Sequence, residues 1–211
     1  MVRMFTLICL AISFNSGFCL AEQKVEDISK KSYLKSFSYF TGFAKGELSQ
    51  KDSYKIVPSI FRFSFDMDKM GIGAADIVSF IADKGFNKTD LSVKGETEFL
   101  AEPFINTIIS PDSNLEVGFD LLVKYSYPVT NRISPYFFTG GGVIFMTQHT
   151  NEQSTQFNFI PQLGGGISYD LTENRTISLE YRYRHLSNAD TKAPNDGINV
   201  NMFLIGVTHE Y

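Results

Sequence analysis

From Leu115 to Tyr127 the side chains alternate with a period of two. Leu115, Val117, Phe119, Leu121, Val123, Tyr125 and Tyr127 are apolar or aromatic, and Glu116, Gly118, Asp120, Lys124 and Ser126 fall between them. An extended strand sends successive side chains to opposite faces, whereas a helix would smear this pattern around its axis. The stretch therefore predicts a two-faced strand, and the same alternation recurs along the chain. Strands are expected over 33–44, 54–66, 91–104, 115–127, 135–148, 156–170, 175–187 and 198–211. Two of them contain glycine runs, Gly140-Gly141-Gly142 and Gly164-Gly165-Gly166. Inside a strand such runs mark bending or close backbone approach, and no helix start follows either one, as a phosphate cradle would need.

Eight amphipathic strands fit either a soluble sandwich or a membrane barrel. Length decides between them. The segments run to about 12–15 residues, against about 5–6 for globular strands and about 9–11 needed to cross a bilayer as a tilted strand. Their apolar faces are rich in Phe and Tyr, and the whole chain has 20 Phe and 10 Tyr but no Trp. Aromatic girdles around an apolar band are expected of lipid-facing walls. The fold class is thus all-β, an eight-stranded antiparallel outer-membrane β-barrel. Residues 67–90 fit this pattern less well. Ile72, Ile77, Phe80 and Ile81 lie near helical spacing, which suggests a short interfacial helix or a hairpin extension.

The ends of the chain agree with export to such a membrane. Residues 1–21 read as a signal peptide: Arg3, an apolar run from Met4 to Ile12, and the cleavage pattern Cys19-Leu20-Ala21. The run is too short to cross a bilayer as a helix. The remainder, 22–211, would form the single barrel. Cys9 and Cys19 are the two cysteines of the sequence, so the exported chain would hold neither disulfides nor thiolate metal sites. It would carry 18 basic and 23 acidic residues, with no basic stripe to suggest nucleic acid. At the other end Phe203, Ile205, Val207 and His209 alternate toward a terminal aromatic, Tyr211. That resembles the C-terminal signal by which outer-membrane barrels are recognised for insertion.

The seventh strand carries the candidate chemistry. Ile177, Leu179, Tyr181, Tyr183, His185 and Ser187 share one face, and Thr176, Ser178, Glu180, Arg182 and Arg184 share the other. In a barrel the apolar face meets lipid and the charged face lines the lumen. Ten residues of tilted strand from the turn at Leu171–Asn174 rise roughly 23 Å, near the top of an apolar band about 25 Å tall. His185 and Ser187 are then expected at the outer edge of the membrane, facing lipid. A polar pair there costs free energy unless it is partnered or used. An antiparallel pairing with the last strand would bring Asn199 to His185. Ser187 as nucleophile, His185 as base and Asn199 as orienting group then follow the logic of a hydrolase triad. Asn188 and Asn195, in the connecting loop, would offer oxyanion donors. His149 and His209 lack such company. No metal-ligand cluster is visible, and no metal or cofactor is expected.

His185-Leu186-Ser187-Asn188-Ala189, followed by Pro194-Asn195-Asp196-Gly197-Ile198, resembles the signature of the PagL-type lipid A 3-O-deacylases (acyloxyacyl hydrolases). Pro135-Tyr136 before the first glycine run resembles that family as well. The resemblance implies hydrolysis of the ester-linked acyl chain at the 3-position of lipid A, in the outer leaflet of a Gram-negative outer membrane. Under it Ser187 and His185 match the nucleophile and base, and Asn195 an oxyanion-stabilising residue. One position departs: Asn199 stands where the characterised enzyme type has Glu. The third triad member is therefore Asn199, or Asp190 or Asp196 in its stead, or the fold is a lapsed deacylase. A structural or adhesive barrel without chemistry is the rival from another class, although its outer loops, about 6–11 residues long, are short for an adhesin. A homodimer is compatible with either reading.

Overall fold

The structure, a computed structural model, describes residues 33–48, 53–71 and 95–211. The expected signal peptide and most of the segment 67–90 lie outside these residues. The described part of that segment, 67–71, is a turn in which the Met70 and Gly71 amides donate to the carbonyls of Met67 and Asp68.

Ten strands form: β1 (Leu34–Gly46), β2 (Tyr54–Val57), β3 (Ser59–Asp66), β4 (Glu96–Ser110), β5 (Asn114–Ser126), β6 (Ile133–Met146), β7 (Phe157–Phe159), β8 (Gln162–Thr172), β9 (Arg175–Leu186) and β10 (Ile198–Glu210). They make eight staves. β2 and β3 are one stave interrupted at Pro58, and β7 and β8 are one interrupted at Ile160-Pro161, because proline has no N–H to give the ladder. All neighbours pair antiparallel, and β10 pairs with β1 to close the sheet, from Ser36 opposite Glu210 to Gly46 opposite Val200. Closure leaves no unpaired edge, which is the condition for a sheet to stand in lipid.

The third stave differs from expectation. It starts at Glu96 and continues past Pro103 to Ser110, instead of spanning 91–104. Pro103 keeps its place opposite Phe119 on β5, while the ladder to β3 lapses between the Ile60–Phe104 and Phe63–Ala101 pairs. A proline costs one ladder bond on one side, so the strand survives it.

The wall faces two ways, as the alternation requires. Outside are Phe43, Ile105, Val117, Phe119, Leu121, Phe137, Leu163, Leu179, Phe203 and Ile205, all exposed. Tyr33, Tyr127, Tyr169 and Tyr211 are exposed at the end that carries the short turns and the C-terminus. They form the aromatic girdle of that end, which short turns mark as periplasmic. Inside, Arg62, Glu102, Glu180 and Arg182 are buried at mid-height and locked together. Arg62 Nη2 lies 2.8 Å from Glu180 Oε2, Arg182 Nη1 lies 2.6 Å from Glu102 Oε2, Arg182 Nε lies 2.6 Å from Glu180 Oε1, and Arg62 also pairs with Glu102. A second set joins Arg184, Tyr54 and Asn106 to Glu116. Toward the outer end Ile56, Ile108, Ile144, Met146, Leu186, Ile198 and Val200 pack inside the lumen around this second set. Eight staves leave an interior just wide enough for side chains to fill it. Gly164 and Gly166 make room for two rings: a Cβ at Gly164 would collide with Phe138, and one at Gly166 would stand 2.5 Å from the Tyr136 hydroxyl. The glycine run therefore serves close approach, as its place in a strand suggested.

Candidate active site

β9 and β10 fix the site between them. Their register sets Asn199 directly opposite His185 and Asn201 opposite Tyr183, all on the outer face. His185 Nδ1 is 2.7 Å from Asn199 Oδ1. A carbonyl oxygen has no proton, so the imidazole donates from Nδ1 and keeps its lone pair on Nε2. That is the tautomer a general base requires. Asn199, rather than Asp190 or Asp196, is the group that meets the imidazole. An amide oxygen can fix the tautomer but carries no full charge to offset an imidazolium.

Ser187 lies two residues on, half-exposed on the same face as His185. Its backbone exchanges two hydrogen bonds with Phe159, with the Phe159 amide 2.7 Å from the Ser187 carbonyl and the Ser187 amide 3.1 Å from the Phe159 carbonyl. The Ser187 hydroxyl and the imidazole are not hydrogen-bonded to each other. Two residues along one strand face separate their Cα atoms by roughly 7 Å, a gap that side-chain rotation can close. Catalytic hydrogen bonds are commonly loose before substrate arrives.

The imidazole rests on Gly197. A Cβ there would stand 2.5 Å from His185 Cε1 and 3.1 Å from Nε2, and the backbone at Gly197 has φ +78°. Both the ring seat and the left-handed backbone demand glycine at this position.

The loop after β9 is built around two asparagines. The Asn188 backbone amide donates to Asn195 Oδ1 at 2.8 Å, and Asn195 Nδ2 donates to Asp190 Oδ1 at 2.8 Å. Asn195 is half-exposed and keeps a second N–H. Asn188 does something other than expected. Its side chain is 1% exposed, and Nδ2 donates to the Lys192 carbonyl at 2.7 Å and to Ser154 Oγ at 3.2 Å. Its place, one residue past the outward Ser187, turns it inward, so its amide ties the loop together and does not reach the outer face. Ala189 and Asp190 both have positive φ, 54° and 58°, a strained pair in an exposed turn.

A second loop, between β6 and β7, braces the first. The Ser154 amide donates to the Pro194 carbonyl at 3.0 Å, Ser154 Oγ donates to the Lys192 carbonyl at 2.7 Å, and the Asp196 amide donates to the Glu152 carbonyl at 2.9 Å. Gln153 and Asn195 form a bridge between the two loops. The sequence marks 150–154 only as a loop. Nothing local distinguishes Ser154 or Gln153 from other polar loop residues, so their role was not legible there.

Fold and site together define a class: an eight-stranded outer-membrane β-barrel whose lipid-facing wall bears a serine, a histidine and an asparagine at its outer rim. The sequence profile of the lipid A 3-O-deacylase (PagL) family matches residues 76–208. The chain belongs to that family. Among solved structures, the crystal structure of the outer membrane enzyme PagL is 18% identical with a TM-score of 0.53, covering 80% of this chain and 97% of that one. The crystal structure of Neisserial surface protein A is 12% identical with a TM-score of 0.55, covering 84% of this chain and 97% of that one. At these identities the two likenesses establish the fold alone. No curated protein matches the chain by sequence.

Proposed function

We propose that this chain is an outer-membrane esterase that removes the ester-linked acyl chain from the 3-position of lipid A. The observation that carries the reading is the His185–Asn199 hydrogen bond beside Ser187, on the outward face of the wall near the end of β9, where strand rise predicts the headgroups begin. A soluble substrate would have no reason to meet chemistry placed there, whereas a lipid ester lies at that depth. Below the site, Tyr181 and Phe203 pair with ring centroids 5.2 Å apart, and Leu179 and Ile205 continue the apolar strip toward the membrane centre. An acyl chain can lie along that strip.

His185 Nε2 takes the Ser187 proton as the alkoxide attacks the ester carbonyl. The free N–H of Asn195, with neighbouring backbone amides, faces the developing oxyanion. The bond to the sugar oxygen breaks, the imidazolium returns the proton to that oxygen, and water releases the fatty acid by the same route. Asn199 holds the ring throughout. Membership of the deacylase family and the lipid-facing placement of these groups support the assignment.

Lipid A from Gram-negative cells making this chain should lose the mass of one ester-linked acyl chain, compared with cells that lack it. Identical mass spectra would remove the deacylase reading. Within it, Asn199→Leu should lower kcat by about 10²-fold, since the imidazole loses its tautomer and orientation. Turnover within a factor of three of the parent chain would show that Asn199 does not act.

A further inference from the structure

β1 and β2 bring two lysines face to face. Lys45 stands directly opposite Lys55 in their register, and on its other side Lys45 stands opposite Asn201 of β10. Lys45 is exposed and Lys55 half-exposed, both on the outer wall. Like charges directly opposed across a ladder destabilise a sheet. Among the described residues neither ammonium has an ion-pair partner to relieve this. Lys45 and Lys55 lie in register with Asn201 and Tyr183, two residue pairs along β10 from the His185–Asn199 bond and on the same outer face.

A groove of about 450 Å³ runs from Lys45 to Asn199, with Lys55 beyond its lining on the far side of Lys45. Phe43, Lys45, Glu47, Asn199, Asn201 and Phe203 line it, and Glu47 is the one carboxylate among its described lining residues. Lys45 is one strand from Asn201, and Lys55 is two. At strand spacings of about 4.8 Å this puts the ammonium stems roughly 5 and 10 Å to the side of the β10 asparagines, the scale of a sugar ring and its substituents.

We propose that Lys45 and Lys55, with Asn201, form a subsite for a phosphate monoester on the sugar headgroup of a membrane glycolipid, and that this subsite sets which ester reaches Ser187. The position of the subsite relative to the ester rests on the deacylase reading above; phosphate binding by itself does not. A dianion between the ammoniums removes their repulsion and adds charge-assisted hydrogen bonds. Asn201 Oδ1 accepts from the Tyr181 hydroxyl at 2.6 Å, which leaves the Asn201 amide N–H groups to donate toward the groove.

The test uses the full chain carrying Ser187→Ala, folded in detergent, so that binding is read without turnover. Its affinity is measured for a phosphorylated acyl-glucosamine lipid and for the same lipid after dephosphorylation. A preference of about tenfold or more for the phosphorylated lipid is expected, falling to about one in Lys45→Ala/Lys55→Ala. Heat-dependent gel mobility confirms that the double variant is folded, and loss of the repulsion should leave it no less stable than its parent. If the parent binds both lipids equally, or the double variant keeps the preference, the subsite is refuted. If inorganic phosphate alone competes at the affinity of the lipid, the pair is a free-anion site and the headgroup assignment is refuted. Turnover of the phosphorylated lipid by the chain with Ser187 intact is followed separately. No fatty acid released, with the binding preference present, would overturn the deacylase reading and leave the phosphate site standing.

Discussion

Ser187→Ala should reduce release of the 3-linked fatty acid by about 10³-fold or more, with lipid binding little changed. Ser187 shares the outer face with His185, whose Nδ1 donates to Asn199 Oδ1, and it is the nucleophile of the proposed mechanism. Removing it leaves Asn195 and the apolar strip of Leu179, Tyr181, Phe203 and Ile205 intact, so under that mechanism the loss should fall on kcat rather than KM. His185→Ala should cost about as much, and the double variant little more than either alone, because nucleophile and base act as a unit. Fatty-acid release in detergent micelles, with folding followed by heat-dependent gel mobility, is the measurement. A Ser187→Ala chain that folds and retains a tenth of the parent rate would show that the nucleophile lies elsewhere.

Glu102→Ala should destabilise the barrel by about 3–5 kcal/mol, the usual cost of removing one partner from a buried ionic cluster. Glu102 is fully buried and ties Arg182 and Arg62 together, and among the described residues Glu180 is the only other carboxylate bonded to both. Without it the two buried guanidinium groups share a single bonded carboxylate inside the barrel. Glu102→Gln should recover part of the loss, because the amide keeps the volume and an acceptor while the charge is gone. Glu96→Gln is the control. That carboxylate pairs with Lys35 but its side chain is 63% exposed, and exposed pairs contribute about 0–1 kcal/mol. Urea unfolding in lipid vesicles gives both numbers. A cost below about 1 kcal/mol for Glu102→Ala would mean that the ionic layer does not hold the staves together.

Much of the site could be read from local pattern. Period-two alternation through 175–187 assigns His185 and Ser187 to the apolar face and Arg182 and Arg184 to the other, and the structure has them so. Counting by twos along the last strand brings Asn199 to that same face, and the observed register sets it opposite His185. Three features were harder. The third strand was expected to end near Phe104 but continues to Ser110, since alternation assigns faces without showing where the ladder to a neighbour stops. Asn188 looked like an oxyanion donor from its place in the motif, yet parity turns it inward and Lys192 and Ser154 take its amide. Gly197 was part of the motif, but its task as the seat of the imidazole needs the ring and the loop together.

The sequence by itself determined which side chains face lipid and which face the lumen, and hence that a closed barrel with a polar outer pair was the consistent fold. That follows because side-chain parity is a property of each strand alone. Only the tertiary structure decided which groups meet. Arg62 reaches Glu180 across 118 residues of chain and Arg182 reaches Glu102 across 80, while a loop near residue 154 braces the one that carries Asn195. Such meetings depend on the register at which every strand locks to its neighbours and on the closure of β10 onto β1, which no local stretch encodes.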